Sequence, residues 1–198
     1  MTESLPSHPG AEARPSPEAL MEAFLDGDAR AFDALFRRLS PRVVAFLRYL
    51  SGDPRLAEDL AQTTFLKMHR ARDTYQRGLA LEPWVFAIAR RTFLDHRRRV
   101  KRRLEDTTSD GTLPEPVTEG VDPIEGFDRL SDTQRTRLLG CLGTLPDNQR
   151  EALVLTKVEG LSTADAAAVA GTTQGAIKLR AHRAYVNLRR ALGLTVKP

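Results

Sequence analysis

At 198 residues, with 41% hydrophobic, 28% charged and 6% aromatic residues, the chain can hold one ordinary domain or two small ones around a real core. Its single cysteine, Cys141, excludes a disulfide framework and a thiolate metal cluster, and the four histidines have no ligand-like spacing. The longest uncharged stretch, Ala166–Ile177, falls short of the roughly 18–20 residues a membrane span needs, and no basic segment leads into an apolar one at the N-terminus, which predicts a soluble, cytoplasmic protein with no membrane insertion.

The net charge of +4 conceals a pattern. Residues 18–103 carry 18 Lys/Arg against 11 Asp/Glu, residues 104–128 carry eight acids and no base, and residues 129–198 carry 11 bases against five acids. Two basic blocks separated by an acidic strip suggest two nucleic-acid-facing modules on a tether.

Residues 1–17, rich in Pro, Ser and Ala, offer almost nothing to bury and read as a disordered tail. Helix is expected from Pro17, a residue suited to the first helical position, with Leu20, Phe24, Phe32, Leu35, Phe36 and Leu39 as its apolar stripe. Gly27-Asp28 breaks the stripe, and Asp28 is placed to cap the next helix. A further helix is expected from Pro41 to about Leu50, then a stop and restart at Ser51-Gly52-Asp53-Pro54 with Asp53 as cap. The helix that follows, to about Arg72, carries Leu56, Leu60, Phe65 and Met68.

Asp73–Glu82 has no stripe and contains Gly78, so a loop is expected. Pro83 opens a helix to about Arg103, apolar in its first half and almost wholly cationic in its second. Residues 104–127, with three Pro, three Gly and the acids, read as a flexible linker. Beyond it, helices are expected from about Asp128 to Leu142 and from Leu145-Pro146 to Val158, ending at Gly160.

Ser162 is a cap with Asp165 three places on, for a short Ala-rich helix from Ala164 to Ala170. Gly171 stops it, and Thr172 or Thr173 caps a basic helix from Gln174 to about Leu192. Short helix, tight Gly turn and longer basic helix make a helix-turn-helix. Ile177, Ala181, Ala184 and Leu188 form its buried seam, leaving Lys178, Arg180, His182, Arg183, Arg189 and Arg190 mostly outside. The strand-favouring residues never alternate, and the fold class expected is all-α, two small helical domains joined by a flexible acidic linker.

Reading base edges in a major groove takes polar side chains near a helix N-terminus, with cations alongside for phosphates. Thr172, Thr173, Gln174 and Lys178 hold those first positions, with Gln174 suited to adenine and Lys178 to guanine or a phosphate. The eight Lys/Arg of Arg90–Arg103 continue a buried helix that includes Trp84, which favours a rigid phosphate-binding rod over an unstructured tail. Tyr75 and Gln76, just ahead of it, read either as a platform for a single-stranded base or, for Tyr75, as a packing residue of the loop. There is no phosphate-binding Gly loop, nucleophile motif or metal cluster, so neither an enzyme nor a cofactor is expected. Cys141 reads as a core thiol.

Two stretches carry a family resemblance. AEDLAQTTFLKMHRARDTY followed by EPWVFAIARRTFLDHRRR resembles the second conserved region of extracytoplasmic-function sigma factors of the sigma-70 family, and LPDNQREALVLTKVEGLSTADAAAVAGTTQGAIKLRAHRAYVNLRRAL resembles the fourth. The resemblance implies a subunit that binds core RNA polymerase and directs transcription from particular promoters, controlled by an anti-sigma factor. It implies that Glu58, Asp59, Gln62, Phe65 and Leu66 dock on the polymerase, and that Tyr75, Gln76, Trp84, Arg90, Arg91, Arg97 and Arg98 meet the minus-ten element. Thr172, Thr173, Gln174, Lys178, Arg180, His182 and Arg183 would then meet the minus-thirty-five element. The domains implied are 18–103 and 128–198, with 104–127 as a connector that either mimics nucleic acid in the polymerase cleft or only solubilises. Three departures stand out: Leu179 on the recognition helix, the small residues of DAAAVA, and a loop 73–82 poor in aromatics. The alternative is a self-standing helix-turn-helix regulator, which needs neither a polymerase-docking helix nor a strand-separating rod. As a sigma factor, the free chain is expected to be compact and to bind DNA poorly, its two basic modules masked against each other or by a partner.

Overall fold

Helix caps set the boundaries of the N-terminal bundle. The computed structural model describes residues 15–105 and 131–193, less 132, 135, 136, 138 and 139; the tail and acidic linker expected from the sequence lie almost wholly outside the described residues. Ser16 accepts from Ala19 N and opens α1 (Pro17–Leu25); Asp28 accepts from Arg30 N and opens α2 (Ala29–Ser51). Asp53 accepts from Arg55 and Leu56 N and opens α3 (Pro54–Arg70), with Pro54 at the first position. All described regular structure is helical.

Within the N-terminal bundle, two helix starts differ from the sequence expectation. Pro41 lies inside α2 and does not start a new helix. Its ring deletes only the bond to the carbonyl four residues back, while Leu35, Leu39, Val43, Phe46 and Leu47 stay buried in register on both sides of it. The continuous stripe outweighs one missing hydrogen bond. The fourth helix, α4 (Leu81–Glu105), begins two residues before Pro83. Its first amide, Leu81 N, donates to Glu18 Oε1 at 3.1 Å, so a carboxylate from α1 caps it. Although partial burial pushes that carboxyl up, the Leu81 amide and other donors hold it below the usual range.

The bundle core is aliphatic with a few aromatic contacts. Phe46 of α2 and Phe86 of α4 meet edge to face at 5.2 Å between centroids, both fully buried, each contributing on the order of 1.5–3 kcal/mol by burial. Thr64 and Thr92, buried in helix interiors, donate their hydroxyls to the Leu60 and Ile88 carbonyls.

Of the helix expected from Asp128 to Leu142 only part falls within the described residues, ending in a 3-10 turn over Leu142–Thr144. Cys141, expected in the core, is half-buried. α5 (Asp147–Leu153) then widens into a π-helical turn over Val154–Val158 rather than running on as α-helix to Val158. Glu159 N reaches back five residues to Val154 O at 2.9 Å, and this extra residue turns Glu159 inward. α6 (Thr163–Ala170) and α7 (Gln174–Ala191) complete the chain as expected. The apolar core runs unbroken from the N-terminal bundle into these last helices.

Candidate polymerase and nucleic-acid interfaces

The outer face of α3 mixes acids with an exposed apolar residue. Glu58, Asp59 and Gln62 are exposed, and Leu66 is 60% exposed. Phe65 is 4% exposed and packs edge to face on Phe36 at 4.8 Å, so it lines the floor of this surface with its ring largely covered. Phe36, expected only as stripe, is instead 40% exposed. It joins Phe32, Gln62, Leu66 and His69 around a cleft of about 300 Å³. The signal was present in the sequence: Phe36 lies four residues from Phe32, at the outer edge of the stripe. A protein groove with an apolar floor and an acidic flank suits an apolar, basic helix.

The loop after α3 is tied down by its tyrosine. The Tyr75 ring is 6% exposed and tilts against Trp84 at 5.5 Å between centroids, while its hydroxyl donates to the Leu79 carbonyl. Burial, then the nearby Glu18 and Glu22, push that phenol up. Of the two roles open to Tyr75, the structure places it as a packing residue. Trp84 is half-buried. Gln76 is exposed, as is Leu79 at 55%, a residue not singled out from the sequence. Gly78, at φ +79°, makes the turn that lets Tyr75 reach Leu79.

The cations of α4 divide into two sets. Arg91, Arg97 and Arg98 are exposed and Arg90 is half-buried, but the four differ in their partners. Arg90 and Arg97 meet acids from the C-terminal half: Arg90 Nε donates to the buried Glu151 Oε1 at 2.5 Å, and Arg97 Nη1 pairs with Asp147 in an exposed ion pair. Arg42 of α2 lies on the same seam, held by Glu82 and by Glu159 Oε2 at 3.1 Å. Burial works against its charge, but the two carboxylates hold the guanidinium above its usual range. Burial pushes the Glu159 carboxyl up, only partly offset by Arg42. Arg150 closes the seam by donating to the Tyr49 and Leu50 carbonyls at the end of α2, at 3.4 and 3.2 Å.

The helix-turn-helix has the expected local chemistry. Ser162 accepts from Asp165 N and donates to its carboxylate; Gly171 takes φ +62°; Thr173, rather than Thr172, caps α7 by accepting from Ala176 N. Ile177, Ala181, Ala184 and Leu188 are all buried. Thr173, Gln174, Lys178 and Arg183 are exposed together, with Thr172, Arg180 and His182 half-exposed beside them. Polar tips at a helix start with cations one and two turns on are the chemistry that major-groove reading requires. Leu179 is half-buried at the margin of this face. The small side chains of DAAAVA are explained by packing: α6 lies against α4 as well as α7, and alanines let the helices approach.

Among the described residues there is no cluster of potential metal ligands, and no helix long and apolar enough to cross a membrane.

Comparison with known proteins gives one picture. The family model for Sigma-70 region 2 matches residues 35–103, and that for Sigma-70 region 4 matches 135–188. The chain is 39% identical over 173 residues to the RNA polymerase sigma factor CarQ of Myxococcus xanthus, covering 87% of this chain and 95% of CarQ. It is 38% identical over 166 residues to the ECF RNA polymerase sigma factor SigC of Mycobacterium tuberculosis, covering 84% and 85%. Among solved structures it resembles the sigma factor RpoE in complex with the anti-sigma factor NepR from Bartonella quintana, with TM-score 0.66 and 32% identity over 85% of this chain and 100% of that one.

Proposed function

Because this chain belongs to the extracytoplasmic-function sigma factors, which direct RNA polymerase to promoters, we propose that its described surfaces divide promoter recognition among three faces. The exposed strip of Glu58, Asp59, Gln62 and Leu66, with the cleft beside Phe36, docks on core polymerase. Gln76, Trp84 and the α4 arginines Arg90, Arg91, Arg97 and Arg98 bind the minus-ten region, with Tyr75 holding the loop in shape. Thr173, Gln174, Lys178 and Arg183, flanked by Thr172, Arg180 and His182, read the minus-thirty-five element. The modules are 18–103 and 128–198, joined by 104–127, and the protein acts in the cytoplasm beside the polymerase. An anti-sigma factor holds it in check, as the complex of its Bartonella relative suggests.

The observation that carries this division is the open N-terminal face of α7 on a chain that also bears an exposed acidic and apolar docking helix. A self-standing regulator has no use for the second. Run-off transcription with purified core polymerase on genomic promoter fragments tests it. Specific transcripts are expected only when the protein is added; they should vanish with Leu66→Asp and fall about tenfold or more with Lys178→Ala plus Arg183→Ala. Only the first change should also abolish association with core. No transcripts, together with duplex binding by the chain alone, would favour the self-standing regulator.

A further inference from the structure

The segment that joins α3 to α4 is held from outside by α1 and its C-terminal cap. α1 lies ahead of residues 35–103, which the Sigma-70 region 2 model matches, yet it meets the start, middle and end of residues 72–81. At the start, the Arg72 guanidinium lies over the Phe24 ring, 5.9 Å from its centroid. At the end, Glu18 accepts from Leu81 N. In the middle, Arg77 donates both arms of its fork to Asp26, Nη2 to Oδ1 at 2.5 Å and Nη1 to Oδ2 at 3.3 Å. The way α1 ends fixes Asp26 in turn. Gly27 takes φ +101°, its amide donates to the Phe24 carbonyl, and the Asp28 amide donates to the Ala23 carbonyl, the paired closure of a helix that stops on glycine. A carboxylate with a fixed backbone therefore meets a loop arginine flanked by the exposed Gln76 and, across Gly78, the exposed Leu79.

We propose that Asp26 is a positioning residue for minus-ten recognition: by gripping Arg77 it holds the loop in the shape that presents Gln76 and Leu79 to the promoter strand. The inference rests on the reading of this loop as the minus-ten element's partner. An exposed ion pair adds little to global stability, because water and salt screen it and two long side chains must be ordered to make it. Its effect here is local. Tyr75 anchors the first half of the loop against Trp84, and Arg77 and Gly78 make the outer turn, where Asp26 supplies the hold. A two-armed fork fixes direction as well as distance, so it restrains rotation of that turn. A loop already held in its binding shape loses less conformational freedom when it takes a strand, and it rearranges less readily around a wrong base. The fork also occupies Arg77, a cation that its place in the chain alone would assign to DNA phosphates.

The test uses the full chain with core polymerase, on a promoter identified by run-off transcription and on copies of it carrying single-base changes in the minus-ten element. Asp26→Arg should lower the ratio of transcript from the parent promoter to transcript from those copies about threefold to fivefold, the span over which an exposed ion pair shifts an equilibrium. A loss of stability alone would lower every transcript alike and leave the ratio unmoved. Asp26→Arg combined with Arg77→Asp rebuilds the pair with its charges exchanged and should return the ratio to that of the parent, whereas Arg77→Asp alone should not. Trp84, the chain's only tryptophan, rests against Tyr75 at the base of the loop and gives a second readout. Acrylamide should quench its fluorescence more strongly in Asp26→Arg than in the parent, and equally in the parent and the double variant. An unmoved ratio, unmoved quenching, or a double variant no better than Arg77→Asp alone overturns the proposal; the last result would mean that Arg77 meets the DNA itself. If Gln76→Ala leaves both promoter use and the ratio at parent levels, the minus-ten reading of the loop fails instead, whatever the quenching shows.

Discussion

Two basic helices carry the residues assigned to DNA, and the fold treats them in opposite ways. α7 turns its seam inward against α5 and α6 and leaves Gln174, Lys178 and Arg183 in solvent. α4 begins inside the bundle core, and two of its arginines are spent on Glu151 and Asp147. A run of cations in a sequence thus gives the charge but not its availability. Availability depends on which acids the rest of the chain brings alongside.

The sharpest break of that contrast is at the surface used by neither helix. Leu66→Asp places a charge in the exposed cleft on α3 without touching the core, and association with core polymerase should fall by at least about a hundredfold in a native-gel or pull-down titration, as at an interface hot spot. Phe65→Ala is a poorer probe: the ring is buried, so the variant should lose about 3–5 kcal/mol of stability in denaturant unfolding before docking is read. Next in size, Lys178→Ala with Arg183→Ala should lower run-off transcription about tenfold or more, while core association and thermal stability stay as in the parent. Arg150→Met should cost about 1–3 kcal/mol in urea unfolding, because it strips the Tyr49 and Leu50 carbonyls of a buried donor.

The smallest expected effect is at Glu18. Glu18→Gln should cost about 0.5–1 kcal/mol by weakening the cap on α4. The folded carboxyl lies below its unfolded value, so the cap's contribution is full above the unfolded value of about 4.5 and is lost as pH falls through the lowered one. The stability difference between Glu18→Gln and the parent should therefore narrow in acid; a gap independent of pH would mean the charge plays no part.

What was legible in the sequence was local. Asp28, Asp53 and Ser162 declare themselves as caps because the amides they serve lie two or three residues away, whereas the choice between Thr172 and Thr173 is made only in the structure, where Thr173 accepts from Ala176 N. The α7 seam follows from helical periodicity alone. Pro41 misled because a local helix-breaking rule competed with a stripe that continues past it. Tyr75 stayed ambiguous because its fate depends on meeting Trp84 across a turn. The pairs that close the seam join residues 61 and 117 positions apart, and no spacing rule reaches that far. Glu18, the cap of α4, is 63 residues from the amide it serves.

The most direct test of the contrast is a distance. Spin labels at Arg37→Cys on α2 and Arg190→Cys on α7, both exposed, in a Cys141→Ser background, report the separation of the two modules by double electron–electron resonance. The account predicts one narrow, short distance in the free chain and a longer one when core polymerase is added. The same distribution in both states would contradict it, because α4 could then never present Arg90 and Arg97 to a promoter.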